Sequence, residues 1–209
     1  MHDPVTRAEA AGQICQVAMC TSDIPGSVRF YTEAFGFASA GGRPLWGRRL
    51  GQIQRLPTGD RSTCTVWWLV GRQDFVQLEL FTHTAPPQRP IEPDRTSADP
   101  RYGILVPDFG ATIDRLARLG VVPASSPESE DGPRRACVRE PGADVVVEII
   151  EAGSTFAGRA IDKHFDLSPA IGYVALSVAS LDQARRPSPA CSAWPSFLRT
   201  RCMRRLATQ

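Results

Sequence analysis

A repeated pattern of one apolar strand followed by one amphipathic helix is the feature that most limits the fold of this sequence. The first copy begins at Gln16, where an apolar stretch leads to Asp23 and then to apolar residues at helical spacing over residues 24–35. The second copy begins at Arg101, leads to Asp108 and continues into another such helix. Asp23 and Asp108 hold equivalent places, where each can cap the helix that follows.

Strand-like segments separated by turn residues follow each helix. After the first helix they are residues 37–40, 50–56, 62–70 and 75–82. After the second helix, at residues 109–119, they are residues 121–124, 134–139 and 144–151. The order βαβββ therefore occurs twice, which predicts an α+β fold of paired modules at residues 13–83 and 101–152. A Pro-rich surface linker at residues 84–100 joins them.

A third copy starts at residues 171–186, and the pattern then stops. The last segment, residues 187–209, carries several Pro and Arg residues but no acidic residue and no apolar period. We expect it to be poorly ordered. It is either a basic interaction tail or, as we favour from the abrupt change in composition, the frameshifted or truncated end of a protein that had four modules.

Composition excludes several classes of function. The chain has 24 Lys and Arg against 22 Asp and Glu, a formal charge of +2, so no broad basic field for nucleic acid is expected. No secretory signal and no long apolar segment are present, which predicts a cytoplasmic location and no membrane partner. The six cysteines form no CxxC pair, so neither a zinc knuckle nor a redox dithiol is indicated.

Three segments of the chain carry a resemblance to a known superfamily. They are residues 15–37, CQVAMCTSDIPGSVRFYTEAFGF, residues 76–81, VQLELF, and residues 137–148, CVREPGADVVVE. The first resembles the opening of a vicinal oxygen chelate module, and the others resemble closing strands. Glyoxalase I, bleomycin-resistance proteins and extradiol dioxygenases form this superfamily. The resemblance implies a half-barrel cleft between two modules that takes a small molecule, formed within one chain or in a homodimer.

The resemblance also implies metal ligands from the first and last strand of each module, at Gln16, Glu79, Arg101 and Glu148. The oxygens of Gln16, Glu79 and Glu148 suit a divalent ion such as Zn, Ni, Mn or Mg, and Glu148 could also act as a catalytic base. Arg101 departs from the family pattern, which usually has His, because a guanidinium has no lone pair to donate. Three alternatives stay open: a metal held by the other three residues, an ion cluster of Arg101 with both glutamates, and Arg101 as an anchor for an anionic ligand.

Three functions follow from the resemblance. The first is a glyoxalase-like, metal-dependent lyase or isomerase acting on a small oxygenated compound. The second is a metal-free protein that sequesters a small molecule, as bleomycin-resistance proteins do. The third is the catalytically silent N-terminal half of a truncated dioxygenase-like protein. Ring cleavage by these two modules is not expected, because Gln16 and Arg101 cannot replace the two His ligands of the iron site.

Two aromatic features add weaker signals. Trp67 and Trp68 are neighbours on a strand, so one should face the core and the other the opposite surface, where it can stack on a planar ligand. His83 follows the strand of Glu79 and could reach the cleft, although a solvated turn residue is the commoner role for such a histidine.

Overall fold

The computed structural model describes residues 16–71, 77–88, 101–124, 134–151, 155–156, 159–160, 169–175 and 180. Residues Cys15–Leu176 form one compact unit, and the account below concerns that unit. Most of the predicted linker, the third module after residue 175 except residue 180, and the predicted disordered tail lie outside the described residues. Within the described residues, no helix has the length and apolar character needed to span a membrane.

The first module has the predicted βαβββ order. Its elements are β1 (Gln16–Cys20), α1 (Ile24–Arg29) with a π-helical continuation (Phe30–Phe35), β2 (Ala38–Trp46), α2 (Arg48–Ile53), a 3-10 turn (Gly59–Arg61), β3 (Thr63–Val70) and β4 (Gln77–Ala85). The strands form one sheet in the order β1-β4-β3-β2, with β1 parallel to β4 and the other neighbours antiparallel.

The segment predicted as a strand at residues 50–56 is instead helical. Strand β2 ends at Trp46, and Gly47 turns the chain with a φ of 94°, a conformation that favours glycine. The following turn of helix buries Leu50. The apolar residues of this segment therefore serve a short helix and not a sheet.

The two helices of the repeat, which follow Asp23 and Asp108, begin as the sequence predicts. The carboxylate of Asp23 accepts a hydrogen bond from the backbone N–H of Gly26 at 3.0 Å, and the carboxylate of Asp108 accepts one from Ala111 at 2.9 Å. Each side chain satisfies a backbone donor that a helix leaves unpaired in its first turn. The repeat therefore places two equivalent helix starts in the structure.

The second module contains β5 (Arg101–Val106), α3 (Phe109–Arg118), β6 (Arg135–Arg139) and β7 (Val146–Glu151). The strand predicted at residues 121–124 does not form. Within the described part of the chain, one backbone bond, from the Ala124 N–H to the Cys137 carbonyl at 2.7 Å, holds this segment beside β6. Pro123 lacks the N–H that a paired strand would donate, which explains why no ladder develops.

The start of the third copy belongs to the second sheet. Strand β10 (Ala170–Ala175) pairs antiparallel with β5, so the sheet has the order β10-β5-β7-β6. An irregularity in register falls between Ile171 and Tyr173. A small hairpin of β8 (Thr155–Phe156) and β9 (Arg159–Ala160) lies between β7 and β10 in the chain.

One apolar core joins the two modules. Both sheets, the π-helical continuation of α1 and helix α3 contribute buried side chains to it. Among them are Phe30, Phe35, Leu78, Leu80, Ile104, Phe109, Leu116, Val147 and Ile149. The Tyr31 and Tyr102 hydroxyls, one from each module, are hydrogen-bonded inside this core. The guanidinium of Arg115 donates to the Ala34 carbonyl at 2.8 Å. The modules are therefore parts of one folding unit.

Each sheet has a second face that does not enter this shared core. The first outer face is the side of the first sheet that carries Gln16, Trp68, Glu79, Phe81 and His83. The second outer face is the side of the second sheet that carries Arg101, Gly103, Arg135, Cys137, Glu148 and Tyr173. All four positions implied as ligands by the resemblance lie on these two outer faces.

Candidate functional site

The first outer face carries Gln16 and Glu79 on neighbouring parallel strands. In the register of β1 and β4, Gln16 lies opposite Gln77, and Ala18 lies opposite Glu79. Gln16 is exposed and Glu79 is half-buried. The two side chains therefore share a face, but Glu79 lies two residues further along β4 than the residue that pairs with Gln16.

Trp68 fixes the carboxylate of Glu79. The two residues are directly opposite on β3 and β4, and the indole Nε1 donates a hydrogen bond to Glu79 Oε1 at 2.6 Å. Trp67 points to the other side and packs against the shared core. Strand alternation thus divides the two tryptophans between core and outer face, as the sequence predicts.

Two aromatic rings extend this surface beyond Glu79. The rings of Phe81 and His83 are stacked, with centroids 6.2 Å apart and planes tilted by 15°. His83 lies within β4 and is half-buried, so the expectation of a solvated turn residue is wrong. Burial lowers the pKa of His83. The neutral ring then offers an apolar face with one acceptor nitrogen.

The second outer face is organised around Glu148, which is 9 % exposed. Its Oε1 faces the Arg135 guanidinium, with Arg135 Nε at 2.9 Å. Its Oε2 accepts a hydrogen bond from the Tyr173 hydroxyl. Burial first, and the bond to Glu148 second, raise the pKa of Tyr173, so the phenol keeps its proton. Both oxygens of this carboxylate are therefore engaged from within the chain.

Arg101 lies on the same face as Glu148, but it does not occupy the position opposite that carboxylate, where an ion cluster would place it. Gly103, and not Arg101, is opposite Glu148 in the register of β5 and β7. Cys137 faces Glu148 from the other side, on β6. Burial and then Glu148 raise the pKa of Cys137, while the charges of Arg101 and Arg135 oppose that rise. Arg101 thus contributes positive charge nearby, and Arg135 supplies the ion pair.

This donor set does not fit a resident divalent metal. A carboxylate that already accepts a hydrogen bond from a phenol and pairs with a guanidinium must release both partners before it can bind an ion. Gln16 and Glu79 lie on the first sheet and Glu148 on the second, and within the described residues no strand of one sheet pairs with a strand of the other. Among the residues that the structure describes, no group of three or more His, Cys, Asp or Glu could hold a metal.

A buried polar cluster that sequence reasoning missed connects the two modules. The carboxylate of Glu140, which is fully buried, accepts hydrogen bonds from the backbone of Ala143 and from Ser27 in the first module. The Ser27 hydroxyl also bonds the Thr21 hydroxyl at 2.7 Å. The Ser22 N–H donates to the Gly142 carbonyl at 2.9 Å. The turn at residues 140–143 therefore docks onto the start of α1.

Glu140 should make stability depend on pH in a definite direction. Burial raises its pKa above the ordinary value of 4.5, although the hydrogen bonds from Ser27 and the turn backbone oppose the rise. The folded state then holds this proton more tightly than the unfolded state does. The contribution is fully present below pH about 4.5 and is lost as pH rises through the folded pKa.

We therefore expect Glu140→Gln, which cannot ionise, to flatten the fall in unfolding free energy above pH about 4.5. Urea unfolding of both proteins at a series of pH values measures this difference. A Glu33→Gln variant provides the control, because Glu33 is exposed. Parallel pH profiles for the unmodified protein and Glu140→Gln would contradict the assignment.

Comparison with known proteins supports the fold. No family model matches the chain, and no curated protein matches it in sequence. A glyoxalase family protein from Bacillus cereus has a similar structure at 17 % identity, with a TM-score of 0.58 over 66 % of this chain and 93 % of that protein. The predicted α+β fold class of paired βαβββ modules is confirmed by this similarity.

Two other solved structures are also similar. An antibiotic binding protein from Streptomyces sp. CB03234 is 18 % identical, with a TM-score of 0.45 over 68 % of this chain and 97 % of that protein. Glyoxalase I from Zea mays is 15 % identical, with a TM-score of 0.48 over 66 % of this chain and 44 % of that protein.

Proposed function

We propose that this chain is a small-molecule-binding protein that uses the outer faces of its glyoxalase-like sheets and needs no resident metal. The proposal is the metal-free alternative among the functions that the resemblance implies. It is supported by the side chains around the two implied carboxylates, Glu79 and Glu148, and by the aromatic character of the first outer face.

The state of Glu148 carries the proposal. A general base must accept a proton from its substrate, and a metal ligand must offer a lone pair. In this chain Tyr173 donates a hydrogen bond to one oxygen of Glu148, and Arg135 pairs with the other. A metal ion or a substrate proton could reach these oxygens only after both contacts break, and breaking a nearly buried ion pair is unfavourable. Binding, and not metal-dependent lyase or isomerase chemistry, is therefore the use that these contacts favour.

The first outer face offers the features of a small organic ligand site. Such sites are mostly apolar and contain a few polar groups that fix the orientation of the ligand. Here Trp68, Phe81 and His83 provide ring surfaces, and the carboxylate of Glu79 is held in one orientation by an indole donor. An anion beside aromatic rings favours a ligand that combines a planar ring with a cationic or N–H donor group.

Benzylamine is a simple probe of this chemistry, with benzyl alcohol as its uncharged counterpart. We expect the unmodified protein to bind benzylamine about tenfold more tightly than benzyl alcohol, because a charge-assisted hydrogen bond to Glu79 is worth about 1.5 kcal/mol or more. Glu79→Gln should remove this preference while it keeps weak binding of both compounds. Isothermal titration calorimetry measures all four affinities.

Elemental analysis of the same protein, after dialysis against Zn²⁺, Ni²⁺, Mn²⁺ and Mg²⁺, tests the alternative that the chain holds a metal. About one equivalent of metal, lost in both Glu79→Gln and Glu148→Gln, would overturn the proposal in favour of the metal-dependent lyase or isomerase. Equal affinity for benzylamine and benzyl alcohol would count against Glu79 as the ligand anchor.

A further inference from the structure

Tyr173 lies half-buried on the second outer face, and both its ring and its hydroxyl have partners there. The ring packs over Gly103 and beside a small apolar cluster of Leu105, Ile150 and Ala170. The hydroxyl reaches Glu148, which Arg135 holds from the other side. An apolar floor and one oriented acceptor are the two elements that recognition of a phenol requires.

Gly103 makes room for this ring. A Cβ atom at position 103 would lie 2.3 Å from Cε1 and 2.6 Å from Cδ1 of Tyr173, and 2.9 Å from Cδ1 of Ile150. Contacts this short are forbidden, so no residue with a side chain fits under the ring without displacing it. The surface is thus shaped for a flat group at this position, directly opposite Glu148 in the strand register.

The residue that occupies this place comes from an edge strand. Strand β10 pairs with β5 and forms the edge of the second sheet, and its register shifts between Ile171 and Tyr173. Such irregularities commonly aim a side chain in a new direction. Among the described residues, this strand pairs on one side only and Tyr173 is half-buried, so its ring is more easily displaced than the residues of β5 and β7 beneath it.

We infer that the second outer face, around Gly103, Glu148 and Arg135, is a binding site for a phenolic group, which Tyr173 occupies from within the chain. A phenol from solution competes with the side chain of Tyr173 for Glu148. The inference deepens the proposed function by naming a ligand class, but it concerns a different sheet from the Glu79 site.

The test uses a Tyr173→Ala variant of the full chain, together with p-cresol, which is the side chain of tyrosine without its backbone. Toluene, which has the same ring and no hydroxyl, is the control ligand. We expect p-cresol to bind this variant at least about tenfold more tightly than toluene, because it alone can donate to Glu148. It should bind the unmodified protein more weakly than the variant, since Tyr173 competes there. Calorimetry and thermal unfolding measure both effects.

Glu148→Gln in the Tyr173→Ala background should remove most of the preference for p-cresol. Equal binding of p-cresol and toluene, no binding of either, or equal p-cresol affinity in the variant and the unmodified protein would each overturn the inference. If the variant fails to fold alone, refolding it with either ligand replaces the titration, and recovery with p-cresol but not toluene is the expected result. Equal recovery or none would overturn it.

The two proposals fail separately. Benzylamine binding is measured with Tyr173 in place and depends on Glu79, whereas p-cresol binding is measured with Tyr173 removed and depends on Glu148. Loss of p-cresol selectivity with benzylamine selectivity intact would remove the phenol site alone.

Discussion

Gly142→Ala is expected to lower the free energy of unfolding by about 3 kcal/mol, because the added methyl group has no space at the junction of the modules. A Cβ at this position would lie 2.2 Å from the Thr21 hydroxyl oxygen and 2.5 Å from that of Ser27. Both side chains are fully buried and bonded to each other, so neither can move without breaking the polar cluster around Glu140. Urea unfolding followed by circular dichroism measures the change.

Gly110→Ala is the matched control for this substitution. A Cβ at Gly110 would meet only the Asp108 carboxylate, at an ordinary distance of 3.7 Å. Gly110 lies in helix α3, where alanine is favoured over glycine by up to about 1 kcal/mol. The control should therefore be neutral or stabilising. A similar loss of stability in both variants would show that the junction is not tightly packed at Gly142.

Leu80→Ala should lower the free energy of unfolding by about 3 kcal/mol and should destabilise both modules together. Leu80 belongs to β4 of the first module, is 0 % exposed and packs in the core that both modules share. Truncation of a buried leucine removes apolar contact and leaves a cavity. Because the core is common, circular dichroism and tryptophan fluorescence should report one coincident transition at a lower urea concentration.

Ile53→Ala provides the surface control, since Ile53 is 71 % exposed and should change stability by less than about 0.5 kcal/mol. Two separate transitions in Leu80→Ala, one unaffected by the substitution, would mean that each module has a core of its own.

The parts of the fold that the sequence predicts are those that local chemistry decides. Asp23 and Asp108 cap their helices through bonds that span three residues, and these are visible in the sequence as a polar residue before an apolar period. The turn at residues 140–143 is equally local, because Pro141 and Gly142 favour it in any context.

The parts that differ depend on which strands pair. Residues 121–124 have strand-like composition but are held beside β6 by one bond, and residues 170–175 pair with β5 and not within a third module of their own. Pairing partners distant in sequence are set by packing, which composition does not report. The sequence therefore predicts that β10 is a strand, but it does not predict the place of β10 in the second sheet.

The candidate site shows the same division. Glu79 and Glu148 are visible in the sequence through the resemblance, and both lie on outer faces. Their partners are not visible, because Trp68, Arg135 and Tyr173 reach them from other strands. Arg135 and Cys137 are two residues apart and so share a face of β6. Their closeness to Glu148 can be inferred only when the register of β6 and β7 is known.

Strand β10 has a further role that concerns solubility. It covers the edge of β5, a strand with buried residues at five of its six positions. An apolar edge without a partner presents a row of free N–H and C=O groups, which another molecule can extend as a sheet. Because residues 170–175 occupy this edge within the chain, the backbone groups on that side of β5 are not available to another molecule.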